Sequence, residues 1–447
     1  MNDTSAGFEI KPERMDFRAY SISWNLTKRC NLNCDHCYLD AEFRGGLRTD
    51  ELNTEECFRV IDQIAEVNPN AFLILTGGEP LLRPDIYEII RYAADKKFMV
   101  VLGTNGTLIN KVNAEKIKAA GAHGVGISID SMEAVKHDKF RGVTQAWENS
   151  MHAFDVLNEV GVDFLIQMSV SEMNYQEIPD VVAFAEKIGA IAFNLYFLVC
   201  TGRGQGNTDI SNAAYEEALK TLYEEQMKYK GRLMINSKCA PQYKRVVYEN
   251  DPDSVYTRTY SGGCPAATHY SRISPEGNLT PCPFIEESVG NLKTSSFKDL
   301  WENAPLMRQL RDRKNLEGKC GTCEFSAMCS GCRARAFADT GNYMAPDTSC
   351  DYEPGKYGGK EITLKIEDTL GLEVEFQTQW TDEAKGRLER IPSFARGMVI
   401  KGIERFAEER GIQLIDEEVV KKSREEMITK RGAMFPFLKK FINSENS

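Results

Sequence analysis

This sequence has no bilayer-crossing segment, no basic surface and no repetitive tract. Its longest apolar runs, around 72–75 and 98–102, fall far short of the roughly 20 residues that a membrane-spanning helix needs, so no span is expected. Positive charge is in deficit. The formal net charge of −11 argues against a nucleic-acid partner, because holding a phosphate backbone takes a basic stripe that releases counterions. The N-terminal residues are polar and include acids, unlike a basic region followed by an apolar secretory segment, and a cytoplasmic protein is expected. What remains is a 447-residue chain, 42% hydrophobic and 27% charged, long enough for two or three domains around a large core. It carries 13 cysteines. The count is odd and most are grouped at short spacings, which favours metal ligation over disulfides.

From residue 19 to about 196, short β-like runs alternate with helical segments, the pattern of βα units around a parallel sheet. The strand candidates are 21–26, 72–76, 99–104, 124–129, 164–170 and 193–198. Six such units suggest a partial (β/α)6 TIM barrel, in which function sits at the C-terminal ends of the strands. After Gly204 comes a helical stretch at 212–227, then a cysteine-rich section from Cys239 to Cys350. Pro354–Gly355 and Gly358–Gly359 read as a linker. Beyond it, Ile362, Leu364 and Ile366 alternate like a strand, while Val399, Ile403 and Phe406 have helical spacing. The expected organisation is an N-terminal segment at 1–18, a barrel at 19–235, a cysteine domain at 236–355 and a small, mainly helical C-terminal domain at 356–447.

Cys30-x3-Cys34-x2-Cys37, followed by the aromatic Tyr38, lies directly after the first strand candidate. Three thiolates on one loop reach one face of an iron–sulfur cube and leave one iron open; a zinc loop would normally want a fourth nearby ligand, which His36 offers. The spacing resembles the signature of the radical S-adenosylmethionine (SAM) superfamily. The resemblance implies a 4Fe-4S cluster that chelates SAM and splits it to a 5′-deoxyadenosyl radical. Gly77–Gly78–Glu79–Pro80 resembles the superfamily's GGEP motif: its glycines allow close backbone approach, and Glu79 would accept from the methionine amino group. Ser128 and Asp130 suit the ribose hydroxyls of SAM. By the same resemblance Asn105, Ser169 and Asn174 are cosubstrate neighbours, and Arg141 would bind the SAM carboxylate. Singly, each polar residue is more often a solvated strand end.

Seven further cysteines follow the barrel: Cys264 and Cys282, with Gly277 five residues before the latter, then Cys320-x2-Cys323-x5-Cys329-x2-Cys332, and Cys350. This set resembles the SPASM extension, although the last spacing is x2 where many peptide-modifying members have x3. The resemblance assigns Cys320, Cys323, Cys329 and Cys350 to one auxiliary cluster and Cys264, Cys282 and Cys332 to another. The fourth ligand of the latter is left open among His269, Cys239, water and substrate. A structural zinc ribbon built from Cys320-x2-Cys323 and Cys329-x2-Cys332 is the rival reading. Cys57 and Cys200 read as plain core residues.

The runs Leu198–Val199–Cys200–Thr201–Gly202–Arg203–Gly204, Cys239–Ala240–Pro241–Gln242 and Cys329–Ser330–Gly331–Cys332–Arg333–Ala334–Arg335–Ala336 resemble the subgroup that tailors haem precursors. Its members remove or alter carboxylate side chains on an iron tetrapyrrole: acetates, propionates, or propionates oxidised to vinyls. The resemblance implies such a tetrapyrrole as substrate, with acetate removal from 12,18-didecarboxysirohaem the first expectation, and an electron donor such as a ferredoxin or flavodoxin. A wide apolar slot with cationic clamps would suit that substrate; Arg203, Arg245, Arg333 and Arg335 are the candidates, each singly more often a structural or solvated arginine. Trp380, Pro392 and Arg396 fall on a pattern similar to the C-terminal domain of the light-independent protochlorophyllide reductase B subunit, with a packing or dimerisation module as the bland alternative. The rival functions are a peptide maturase, for which the roughly 20 residues ahead of the barrel leave little room for a recognition domain, and a non-enzymatic iron–sulfur or haem carrier, which would have no use for Gly77 to Pro80.

Overall fold

The computed structural model describes residues 17, 19–46, 48–204, 210–254, 263–362, 374–388, 391 and 393–431. Its strands in chain order are β1 Ser21–Asn25, β2 Arg29–Cys30, β3 Glu42–Phe43, β4 Phe72–Thr76, β5 Met99–Thr104, β6 Gly124–Ser128, β7 Phe164–Val170, β8 Ala192–Phe197, β9 Met234–Lys238, β10 Tyr270–Ile273, β11 Asn278–Thr280, β12 Gly290–Asn291, β13 Gln379–Trp380 and β14 Leu414–Ile415. Ten of them form one sheet in the order β12-β11-β10-β1-β4-β5-β6-β7-β8-β9. From β10 to β9 every pairing is parallel. Helices Thr54–Val67, Ile86–Asp95, Lys111–Ala119, Ala146–Val160, Ile178–Lys187 and Asn212–Lys228 alternate with these strands, as a wound parallel sheet requires.

The six expected strands are present. The sheet runs further than expected, because the cysteine-rich section supplies β10 to β12 and β9 follows the helix Asn212–Lys228. One continuous core joins the barrel to that section, from Ile22 and Trp24 through Ile273, Trp301 and Met344. Helix starts are locally encoded. Asn53 accepts from the Glu56 amide while the Glu56 side chain accepts from the Asn53 amide, a reciprocal cap of the first turn.

Burial alternates along the barrel strands in a way that matters for function. On β7, Phe164, Ile166, Met168 and Val170 are buried while Leu165, Gln167 and Ser169 are half-buried; on β4, Leu73 and Leu75 are buried while Phe72, Ile74 and Thr76 are not. The buried set belongs to the main core. The other set faces inward and stays half-buried, where a sheet covered on both sides would bury everything. A Cβ on Gly103 would meet the Thr76 and Ile74 side chains, and one on Gly126 those of Gln167 and Leu165.

The C-terminal residues form a small core of their own around Trp380, Leu388, Ile400, Ile403 and Ile415. The Trp380 indole N–H donates to Glu404, which also accepts from the Gln377 and Thr378 amides. Trp380 is therefore core, and its partner Glu404 pins the entry to the parallel β13–β14 pair. The strand expected at 362–366 and Pro392 lie outside the described residues apart from Ile362. Arg396 donates to the Ile391 carbonyl. Among the described residues no helix is long and apolar enough to cross a membrane.

Candidate functional site

The chain leaves β1 into a loop that closes on itself. Glu42 N donates to Lys28 O and Arg44 N to Cys30 O, both at 2.7 Å, and the short β2 and β3 pair in parallel. Cys30, Cys34 and Cys37 come together in one small cluster with Leu32, Leu39, Ala41 and Tyr38. Backbone amides of Leu32 and Ala41 point at the Cys30 and Cys37 sulfurs, each at 3.4 Å, and Arg141 Nη1 lies 3.8 Å from Cys34 Sγ. Burial pushes the Cys30 thiol up to about 12, the backbone N–H of Leu32 opposing this and the charges of Glu79, Cys34 and Cys37 adding to it. Burial raises Cys34 too, against the pull of Arg141. Three converging thiols that are costly to ionise alone, with amides aimed at the sulfurs, fit a multiply charged iron–sulfur group, whose charge makes thiolates favourable and whose sulfurs accept such bonds.

The floor beneath this loop admits no side chains. A Cβ on Gly78 would stand 2.2 Å from the Arg29 carbonyl oxygen, and one on Gly142 2.2 Å from that of Asn33, so backbone meets backbone at both places. Glu79 is fully buried. It accepts from the Thr104 hydroxyl at 2.8 Å, the Asn105 amide at 3.0 Å and the Leu81 amide at 3.1 Å; Pro80 opens a short turn behind it. Desolvation raises the Glu79 carboxyl to about 7 against those donors. Asn105 in turn donates to Asn31 on the cysteine loop.

Further round the barrel, several residues that were expected to meet SAM are occupied with one another. Asp130, wholly buried, receives Arg141 Nε and Nη2 at 2.6 Å and the Ser169 amide at 2.9 Å. Asn174 donates to the carbonyls of Asp130 and Ser169 and accepts from the Ser171 amide. In this structure Asp130, Arg141 and Asn174 are thus a buried brace reaching Cys34, whereas Ser128 stands half-buried on the luminal face opposite Gln167. Tyr38 accepts from Asn25 and packs its ring 5.1 Å from Phe284, two residues beyond Cys282.

The later cysteines fall into two sets. Cys329 feels the charges of Cys350 and Cys320, and Cys323 that of Cys320. Cys264 and Cys332 share a thiol–thiol hydrogen bond, and Cys282 feels Cys264 and Cys239. Cys239 lies beside the Cys264 and Cys282 thiols. Cys239 has a left-handed φ of 60°, uncommon for a residue with a side chain and characteristic of positions held by their surroundings. Its carbonyl accepts from Arg335 at 3.2 Å, and Arg335 pairs with Asp347, which receives the Cys332 amide at 2.6 Å. The His269 ring lies 5.6 Å from that of Tyr20, ahead of β1. All 13 cysteines are free thiols. Among the described residues no three Cys, His, Asp or Glu side chains are gathered closely enough for a single metal ion; a cube with separated irons takes ligands set further apart. Cys57 is buried in the main core, as expected, while Cys200 is half-buried.

The four expected clamp arginines are all committed elsewhere, which corrects that expectation. Arg203 fastens the cysteine loop through the Cys34 and Ala41 carbonyls. Arg245 pairs with Glu216 and Glu249. Arg333, fully buried, donates to the Tyr343 and Ala345 carbonyls, and Arg335 is held by Asp347 and the Tyr215 ring. No periodicity distinguishes an arginine that ties loop carbonyls from one that waits for a ligand.

Comparison with known proteins agrees with this arrangement. The radical SAM superfamily profile matches residues 24–185, an iron–sulfur cluster-binding (SPASM) domain matches 264–324, and the protochlorophyllide reductase 57 kD subunit profile matches 380–424. The AdoMet-dependent heme synthase of Methanosarcina barkeri is 40% identical over 343 residues, covering 75% of this chain and 97% of its own. The Fe-coproporphyrin III synthase of the same organism is 30% identical over 355 residues, covering 74% and 87%. Among solved structures, SuiB of Streptococcus suis bound to S-adenosylmethionine superposes with a TM-score of 0.61 at 17% identity, over 75% of this chain and 78% of that one.

Proposed function

We propose that this chain, which belongs to the radical SAM superfamily and to its haem-precursor-tailoring subgroup, oxidatively decarboxylates propionate arms of an iron tetrapyrrole. The observation that carries the choice of reaction is the gradient of similarity: 40% to a heme synthase, over nearly that protein's whole length, against 30% to an Fe-coproporphyrin III synthase. Acetate removal from 12,18-didecarboxysirohaem, the expectation from sequence, stands as the second reading, supported by the latter relative.

The enzyme uses SAM with a 4Fe-4S cluster and carries further iron–sulfur centres. Cys30, Cys34 and Cys37 are the residues that would hold the first, and together with SAM it would supply a 5′-deoxyadenosyl radical. The protein's part is positional. Gly78 and Gly142 let the cysteine loop seat directly on the barrel, Arg203 and Asn105 fix its shape, and the Asp130–Arg141 pair braces Cys34. Glu79 would accept from the SAM ammonium, and Ser128 would face its ribose. Turning a propionate arm into a vinyl releases carbon dioxide, one hydrogen atom and one electron. The hydrogen leaves with 5′-deoxyadenosine; the electron needs an acceptor, which the two later thiol sets would hold. Cys320, Cys323, Cys329 and Cys350 would form one, and Cys264, Cys282, Cys332 and Cys239 the other. A ferredoxin or flavodoxin would deliver the reducing electron for SAM cleavage.

The test is anaerobic turnover of the cluster-loaded enzyme with SAM and reductant, offering iron-coproporphyrin III and 12,18-didecarboxysirohaem in separate reactions. Carbon dioxide and vinyl products from the first, matched to 5′-deoxyadenosine, are expected. Acetate loss from the second, with the first untouched, would transfer the assignment to the second reading.

A further inference from the structure

With the expected arginine clamps committed, the carboxylates of a tetrapyrrole need other partners, and the luminal wall supplies two. Lys238 ends β9, in register with Tyr196 of β8, which is itself in register with Ser169 of β7. The intervening Phe193, Leu195 and Phe197 belong to the core under the helices, so Tyr196 and Lys238 share the opposite, inward face. On that face Asn236 donates to Asn194, and the wall beside Lys238 is polar and uncharged. Lys238 is half-buried, and its side chain makes no hydrogen bond or ion pair among the described residues.

The second cation is Arg272 on β10, in register with Ser23 of β1. Its Nε donates to Asn25 at 2.6 Å, and no carboxylate pairs with it among the described residues. β9 and β10 are the strands at which the parallel barrel begins and ends, and they are not bonded to each other. Lys238 and Arg272 therefore flank the seam of the barrel from its two sides, Lys238 beside Cys239 and Arg272 beside the Asn25–Tyr38 bond. Two cations facing one lumen, neither bound to a carboxylate among the described residues, suit a polyanionic ligand, with Arg offering a planar fork and Lys a point charge.

We infer that Lys238 and Arg272 are the specificity-determining pair that binds peripheral carboxylates of the substrate at the barrel seam. The inference rests on the tetrapyrrole reading above. The experiment titrates the cluster-loaded enzyme, anaerobically, with iron-coproporphyrin III and with its tetramethyl ester, following the Soret band, for wild type, Lys238→Met, Lys238→Arg and Arg272→Gln. Loss of one charge-assisted bond predicts about a tenfold to a hundredfold weaker binding of the free acid to Lys238→Met and Arg272→Gln, little change for the ester, and substantial recovery in Lys238→Arg. Iron and sulfide content, measured on every variant, should match wild type. Equal binding of acid and ester by wild type, or undiminished acid binding by Lys238→Met, would overturn the inference while leaving the tetrapyrrole reading intact. An altered auxiliary-cluster EPR signal in Lys238→Met with unchanged acid affinity would also overturn it, assigning the lysine to the cluster beside Cys239. Failure of wild type to bind either porphyrin would overturn the tetrapyrrole reading itself, and this inference with it.

Discussion

The Asp130–Arg141 pair permits a quantitative test of how the cysteine loop is held. Both side chains are withdrawn from water, 0% and 9% exposed, at 2.6 Å, so removing one partner strands the other. Breaking such a pair from one side costs about 3–5 kcal/mol, mostly because an uncompensated buried charge remains. The two single variants should differ in kind. In Arg141→Met the stranded carboxylate escapes by taking a proton, which at pH 7 costs about 4 kcal/mol from a reference of 3.8 and falls by about 1.4 kcal/mol for each pH unit below that. The native state then binds a proton that the unfolded chain lacks, so this variant loses ground as pH rises. In Asp130→Asn the stranded guanidinium has no such escape, because arginine does not deprotonate in proteins, and its deficit should be nearly flat from pH 5 to 7. The double variant, which strands nothing, should be less destabilised than the sum of the singles by about 2 kcal/mol or more. Urea unfolding of the cluster-free protein, followed by tryptophan fluorescence at pH 5 and pH 7, reads all four. Additivity within about 0.5 kcal/mol, or an Arg141→Met deficit identical at the two pH values, would refute the brace.

Two other outcomes follow from the site. Because Glu79 has a folded value near 7 against 4.5, the native protein retains a proton between those values that the unfolded chain has shed, and stability should fall by about 3 kcal/mol as pH rises through that window; Glu79→Gln should flatten that part of the curve, and an unchanged slope would mean the carboxyl is ionised when folded. If Cys239 belongs with Cys264, Cys282 and Cys332, Cys239→Ala should lower iron per chain or convert one auxiliary EPR signal, while Cys200→Ala leaves both as in wild type; identical spectra for all three proteins would remove Cys239 from the set.

Much of the barrel was legible because its strands are short apolar runs separated by helical spacing, a signal that depends only on local sequence. Phe72–Thr76, Met99–Thr104 and Phe164–Val170 end where the pattern said. β9 and β10 were not legible: Met234–Lys238 and Tyr270–Ile273 mix polar and apolar residues because one of their faces lines the lumen, and that mixture reads as loop. The grouping of the later thiols came from the resemblance to the SPASM extension, because their spacings alone also allowed a zinc ribbon. The fate of the arginines was hidden. Arg141 near Asp130, Arg333 under two carbonyls and Arg203 over the cysteine loop are joined by contacts between residues distant in the chain or on its turns, which periodicity does not encode. Cys239 was one of several options, and its left-handed backbone and its neighbours Cys264 and Cys282 are what make it the proposed ligand.

The same contacts account for how the cysteine loop is joined to the rest of the molecule. On one side Cys34 meets Arg141, which is fixed by Asp130, which in turn takes the Ser169 amide from β7. On the other, Tyr38 joins Asn25 at the end of β1 to Phe284 beside Cys282, and Asn25 accepts from Arg272 across the β1–β10 pairing. The loop is therefore tied to the strand that faces it across the barrel and to the section that holds the later cysteines, while Lys238 and Arg272 stand on either side of the opening between them. A carboxylate arm bound at that seam would lie between the first thiol set and the set containing Cys239 and Cys282. For the proposed oxidative decarboxylation, such an arm would lie within reach of both the group that takes its hydrogen atom as 5′-deoxyadenosine and the set that would take its electron.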